Sequence, residues 1–443
     1  MYLIFKNKYI LLHYNSMAFY NNSIHTHEID PNYYQVNSKA EFKLPSNTTL
    51  LPNMRLGNLG VTASDNVASY NVFCGTDALI QSIGLYDGNQ LLDQCLSANI
   101  WACFKNYNRD NNVNASKYRS LNGSGRGFKV QGQYISATDT YPIMETFIAQ
   151  PTVNTTESTT KLGYLTLQQL LPFLEKSLYV PTTVYKNLKL VIKFETDQVN
   201  ILTHTNKAPQ TVRPVLFCNE LLGDVVKNLG PYKGVQWDAV EHDLVVLPAI
   251  TGLGDDYNEE TEDQSITFNP HGFKNKTLKR LLMVNTPTSI LVYADQADIT
   301  LNRNGGKLAS RSQYKQQVQF VVNGRALIVG NGITGHNERL GYLHDTFGKC
   351  SSYPGCNQIG TYGVHFINDI EYVACQDYLG VAINEFIGDL QIEYKRTGIY
   401  SGADTRAINA ISYYNESLNI HLFGEVAKAV VMNNDGSYRV LYV

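Results

Sequence analysis

The chain has 443 residues, of which 43% are hydrophobic and 17% charged, with a net charge of −3. That length is too great for one ordinary core and suits two domains of roughly 200 residues each, while the low charge excludes a disordered polymer. The near-neutral balance excludes a global basic field for holding nucleic acid.

Thirty tyrosines and 17 phenylalanines stand against 2 tryptophans, a bias towards pleated, half-buried surfaces. The cysteines at 74, 95, 103, 218, 350, 356 and 375 are irregularly spaced and contain no Cys-x-x-Cys. They read as reduced, mostly buried thiols rather than a disulfide scaffold.

In chain order, "MYLIFKNKYILLHY" is apolar but cut by Lys6 and Lys8. It falls short of the ~18 apolar residues of a membrane span and lacks a signal-peptide cleavage site. Met17 opens a second start, so residues 1–16 read as an artefact of start-codon choice or a flexible arm. Residues 17–37 are polar and aperiodic, and the arm is expected to extend over 1–37.

"ALIQSIGLYDGNQLLDQCLSANIWACFKNYN" then reads as strand, Asp87-Gly88 turn, short strand and amphipathic helix. Leu92, Leu96, Ile100, Cys103 and Tyr107 recur at helical steps. Cys95, Trp101 and Cys103 are accordingly expected on that helix, as packing rather than as a redox pair. Polar loops are expected at 109–127 and 150–161, with strands around 128–136 and 143–149. "LTLQQLLPFLEKSLYVP" reads as a short helix ending at a proline. In "NLKLVIKF", Leu188, Leu190, Ile192 and Phe194 alternate with lysines, the mark of a strand.

After a linker over 201–215, strands recur: "HDLVVLPAI", "SITFNP", "TLKRLLMVNT", "SILVYAD", "QQVQFVVNGRALIVG", "VHFIN", "LQIEYKR", "NIHLFGEVAKAVVM" and "YRVLYV". Asn323-Gly324 marks a second tight hairpin. Two runs of many short strands predict an all-β chain of two consecutive sandwiches or barrels, over 38–200 and 216–443.

The pattern Ile83, Tyr86, Asp87, Gly88, Leu91, Leu92, Asp93, followed by Phe104 and Tyr107 at the helix end, resembles a block of double jelly-roll major capsid proteins. These belong to icosahedral DNA viruses of the virophage, polinton-like and large protist-infecting lineage. A second block is similar to the end of their first jelly roll: Leu167, Leu170, Pro172, Phe173, Pro181 and the strand Leu188 to Phe194. "FGEVAKAVVMNNDGSYRVLYV" resembles their closing hairpin.

The resemblance implies two eight-stranded jelly rolls with a few short helices. It implies a homotrimeric, pseudo-hexameric capsomer that tiles an icosahedral shell in the virion and is assembled in the host cytoplasm. Its partners would be its own copies, neighbouring capsomers, and penton and minor or cement proteins. The N-terminal arm would meet an internal membrane or the genome. The loops 109–127, 150–161 and 251–265 would form towers on the outer face. Other roles on the same strand pattern are a minor capsid, penton or spike protein binding host glycans, or a cellular two-domain β-sandwich lectin or hydrolase.

No constellation carries catalysis, and no catalytic, cofactor-binding or metal residue and no small-molecule substrate is expected. "HTHEID" (His25, His27, Glu28, Asp30) has metal-type side chains but lies in the arm and lacks the rest of a cupin motif. "NGSGRG" (Asn122 to Gly127) lacks the Lys-Ser/Thr end of a phosphate loop. Glu241, His242 and Asp243 are adjacent, so a strand would turn them to opposite faces. "HNERLGYLHD" reads as a loop and a helix turn, with His344 as a surface cap. "GDDYNEETEDQ" (Gly254 to Gln264) reads as a solvated acidic loop, and "KNKTLKR" (Lys274 to Arg280) as a strand with a charged outer face.

Overall fold

The computed structural model describes residues 23–62, 69–70, 74–107, 128–134, 140–146, 163–203, 210–250, 260–288, 308, 316–348, 378–399 and 416–443. The expected loops 109–127 and 150–161, the "NGSGRG" segment, and the strands "SILVYAD" and "VHFIN" lie outside these residues or only touch their edges. So do Cys350, Cys356 and residues 1–22.

The strands of the first half are β1 (Ile24–Ile29), β2 (Tyr33–Gln35), β3 (Lys39–Lys43), β4 (Thr49–Leu50), β5 (Arg55–Leu59), β6 (Ile80–Asp87), β7 (Gln90–Leu96), β8 (Phe128–Tyr134), β9 (Thr140–Thr146), β10 (Gly163–Thr166), β11 (Val180–Pro181), β12 (Leu188–Phe194) and β13 (Val215–Leu221). One sheet runs β10-β5-β13-β4-β11 with β1 added on β13, and another runs β2-β3-β12-β6-β7. β8 and β9 form a separate antiparallel hairpin. β12 buries Leu188, Leu190, Ile192 and Phe194, as the alternation predicts.

Two expectations differ here. The arm is built into the sandwich from Ile24 onwards: β1 pairs with β13 from Ile24↔Leu221 to Ile29↔Leu216, and β2 pairs with β3. The strand β13 pairs with β1, β4 and β5, so the first sandwich extends past the expected boundary at 216. Leu216 and Cys218, both fully buried, hold it there.

The helix α1 spans Ala98–Tyr107 and starts later than its period suggests. Cys95 lies on β7, opposite Ile83, because the ladder with β6 runs on to Ser82↔Leu96. Ser97 then takes a left-handed turn (φ 49°), and its carbonyl accepts the N–H of Ile100 and Trp101. A second helix, α2, covers Pro172–Lys176 and opens on a proline, whose missing N–H costs nothing there.

The second half comprises β14 (Gly234–Leu247), β15 (Glu260–Phe268), β16 (Thr277–Pro287), β17 (Gln317–Val322), α3 (His336–Phe347), β18 (Tyr378–Phe386), β19 (Leu390–Ile399), β20 (Leu418–Met432) and β21 (Tyr438–Tyr442). One sheet runs β14-β20-β16-β18, with β21 also on β20, and the other contains β15-β19-β17. The longer strands from β14 to β20 therefore alternate between the two sheets, while the two-residue strands Arg325–Ala326 and Ile333–Thr334 join β17 in its sheet. The first and last, β14 and β20, are hydrogen-bonded neighbours along their whole length. That winding is a jelly roll, and in the first sandwich β3, near its start, likewise pairs with β12, near its end.

Two further expectations are corrected. The second half of the acidic run is the start of β15, where backbone pairing with β19 takes up the chain. "HNERLGYLHDTF" is a full helix, α3, framed by Gly335 and Gly348 at positive φ. It seats Leu343 and Phe347 against Gly380, where a Cβ would come within 2.8 Å of the Phe347 ring.

Candidate functional site, an inter-sandwich junction

The residues singled out in the sequence do not gather. His27 pairs with Glu220 at 2.7 Å, and the His25 ring meets the His27 ring edge-on at 4.5 Å. Asp30 faces Arg213 at 3.6 Å. Among the described residues no three His, Cys, Asp or Glu side chains converge as metal ligands would.

Glu241, His242 and Asp243 diverge. Glu241 accepts the Tyr442 hydroxyl at 2.6 Å, Asp243 accepts the Gly272 N–H at 3.1 Å, and His242 meets His421. On α3, Glu338 accepts the Thr334 N–H at 2.7 Å, while His344 is exposed beside Asp345. Three of the four cations in the basic run face acids: Lys276 meets Glu241, Lys279 meets Asp238 and Arg280 meets Glu425, while Lys274 is exposed.

What the structure does bring together is the boundary between the sandwiches. α1 leaves the first sandwich and lies on the β14-β20-β16-β18 sheet of the second. Trp101 packs on Phe423 of β20 at 5.3 Å. Phe104 sits edge-on to Phe347 of α3 at 5.1 Å and to Tyr378 of β18 at 5.3 Å. Each such pair adds roughly 0.5–1.5 kcal/mol beyond area burial. Cys103 is buried on the inner side of α1 and interacts with Cys74 in the first sandwich, where burial pushes the Cys74 thiol well up.

A second set of contacts lies at the C-terminal end of β20. Trp237, Lys428 and Tyr442 are in register across β14, β20 and β21. The Lys428 ammonium lies 5.7 Å from the Trp237 ring and 5.3 Å from the Tyr442 ring. Phe173 of α2 meets Trp237 edge-on at 5.2 Å. Beside them Asp93 of β7 is fully buried and accepts the N–H of Phe173 at 2.7 Å. Burial pushes its carboxyl up to about 7, against the pull of that bond and of Lys428. Burial lowers Lys428 in turn.

The Asp-Gly hairpin completes the junction. Asp87 accepts the Asn187 N–H at 2.7 Å through one oxygen and the Tyr438 hydroxyl at 2.7 Å through the other. Tyr438 also packs on Tyr185 at 5.0 Å, and Tyr185 shares a hydrogen bond with Tyr232 at 2.8 Å. The arrangement contains carboxylates, a lysine and phenols, all turned onto one another. Its chemistry is adhesion. Sequence reading found α1 and the Asp-Gly turn but missed Trp237 and Tyr438 as junction residues. The near-continuous apolar run of β20 was the available signal, since a strand buried on both faces must be covered on its outer one.

No family model and no curated protein sequence matches this chain. Solved structures do. A chain of the Sputnik virophage solved by cryo-EM superposes with a TM-score of 0.55 at 10% identity, over 95% of this chain and 88% of that one. The mavirus major capsid protein gives 0.54 at 9%, over 95% and 90%. PBCV-1 VP54, fitted into a reconstruction of the virophage Sputnik, gives 0.51 at 11%, over 95% and 97%. At such identities the likeness is one of backbone, and it agrees with the strand winding: this chain has the double jelly-roll fold.

Proposed function

We propose that the chain is a major capsid protein that acts by assembly and not by catalysis. Three copies would bring six sandwiches around a three-fold axis, giving a pseudo-hexameric capsomer that tiles an icosahedral shell. The observation that carries this reading is the junction. Two jelly rolls in one chain, fastened by Trp101, Phe104, Asp93 and Tyr438, form a single building block that matches 90% of the mavirus major capsid protein. Cyclic closure of three such blocks uses a different patch on each side of the protomer.

The partners in this reading are its own copies, neighbouring capsomers, and penton and minor or cement proteins. The segment ahead of β1 is assigned to contacts with an internal membrane or the genome. The protein would reside in the virion after assembly in the host cytoplasm. Light scattering behind size exclusion tests the central claim. Three times the monomer mass is expected, with hexagonal outlines in negative stain. A stable monomer at micromolar concentration would overturn the reading, and a few copies per particle instead of thousands would assign a minor capsid role.

A further inference from the structure

Two histidines meet on the sheet face that carries α1. His242 of β14 places its Nε2 3.0 Å from Nδ1 of His421 on β20, and Nε2 of His421 lies 3.2 Å from Oγ1 of Thr286. One ring nitrogen must donate and the other accept, so this contact requires a neutral imidazole on at least the accepting side. The rings pack on Phe423 with centroids at 4.8 and 6.3 Å, and Phe423 is the residue on which Trp101 of α1 rests. The imidazole pair thus lies beside the seat of the inter-sandwich helix.

We propose that His242 and His421 form an acid-responsive latch: proton uptake splits the pair and loosens α1 from the second sandwich. Charging both rings would set two N–H donors against each other. The surrounding charges give little relief. Asp243, next on β14, favours a charged His242 but is bonded to the N–H groups of Gly272 and Leu244. Glu241 faces the other way, towards Tyr442 and Lys276. Glu425 of β20 is held by Arg280 of β16.

From α1 come Trp101 and Lys105, whose ammonium lies 5.0 Å over the indole. From α3 comes Phe347, covered by Arg280 at 4.9 Å, and that helix also carries the buried cation Arg339. From β18 come Tyr378 and Gly380, which are uncharged at neutral pH. Burial accordingly pushes His242 down to about 4, and burial together with His242 pushes His421 down to about 3.

The sign follows from linkage. The closed chain holds fewer protons on these rings than a chain in which they regain solvent and move back towards the ordinary 6.5. The stabilisation is complete above that value and is lost as pH falls towards 4. Asp93, at the other set of contacts, opposes this because its closed-state carboxyl already holds a proton up to about pH 7. The histidines alone raise the opening constant by up to about 100-fold per pH unit, and by about tenfold net of Asp93.

Hydrogen exchange of α1 in the full chain at pH 7 and pH 5, corrected for intrinsic exchange, tests the latch against a His242→Gln/His421→Gln variant. Wild type is expected to lose protection in α1 by about tenfold or more at pH 5, with the variant flat or reversed. An equal acid response in both overturns the proposal. If the variant does not fold, the imidazole C–H resonances of the wild type decide. Both rings titrating below pH 5 supports the latch, and either one titrating near 6.5 overturns it.

Discussion

Asp87 and Asp93 belong to one hairpin, yet their surroundings give them opposite behaviour. Asp87 is partly open and anchors two donors, Asn187 N–H and the Tyr438 hydroxyl. Tyr438→Phe removes one bond and leaves the ring, so the loss should be about 1 kcal/mol in urea unfolding. Asp87→Ala removes both anchors and should cost about twice that. Asp93 is sealed in, and its carboxyl is raised from the ordinary 3.8 to about 7. The closed chain therefore binds a proton that the unfolded chain gives up. This burden is absent below about pH 4, grows through pH 7 and is then constant. Asp93→Asn should flatten the fall in stability between pH 5 and pH 8, a difference on the order of 2–4 kcal/mol measured by urea unfolding across that range. None of this was legible beforehand, because a carboxylate's protonation depends on neighbours such as Phe173 and Lys428 that are far away in sequence.

At the scale of elements, legibility followed local pattern. β12 alternates and was read correctly, and the Asp-Gly turn places β6 beside β7 as expected. β1 carries no such pattern: its burial pairs with nothing nearby and becomes sensible only opposite β13. α3 hid its period because Arg339, Leu343 and Phe347 are separated by polar residues and a glycine, and because Gly335 and Gly348 read as loop rather than as stops. Gly380 is the test of that helix's seat. A valine there would meet Phe347 and Leu343 within 3.0 Å, so Gly380→Val should lift α3, read as a gain of exchange over residues 336–347. α1 offers a sharper outcome. Trp101→Ala leaves a cavity at Phe423 and should cost about 3–5 kcal/mol, appearing in calorimetry as an earlier, partial transition as the sandwiches uncouple.

For the whole molecule, the all-β class and the two-sandwich plan were readable, because short strands and turn residues announce themselves. The boundary at 216 was not, since hydrogen bonds to β1, β4 and β5 decide to which sheet β13 belongs. The junction was also hidden, as it joins Asp87 to Tyr438 and Trp101 to Phe423 across most of the chain. If three copies close into one capsomer, unfolding is coupled to dissociation. The melting temperature should then rise with protein concentration, and a concentration-independent value would count against the trimer.

The Asp87–Tyr438 bond spans 351 residues. At ribosomal rates of about 5–20 residues per second, the acceptor waits roughly 20 to 70 s for its donor. β21 follows all the other strands described and supplies both Tyr438 and the Tyr442 ring beside Lys428. The two sandwiches can therefore form in turn while still hinged apart, and the Asp87–Tyr438 bond can fasten them only once β21 has been made. A chain cut ahead of Tyr438 lacks this fastening bond, so docking of the two sandwiches depends on a strand made long after the hairpin it grips.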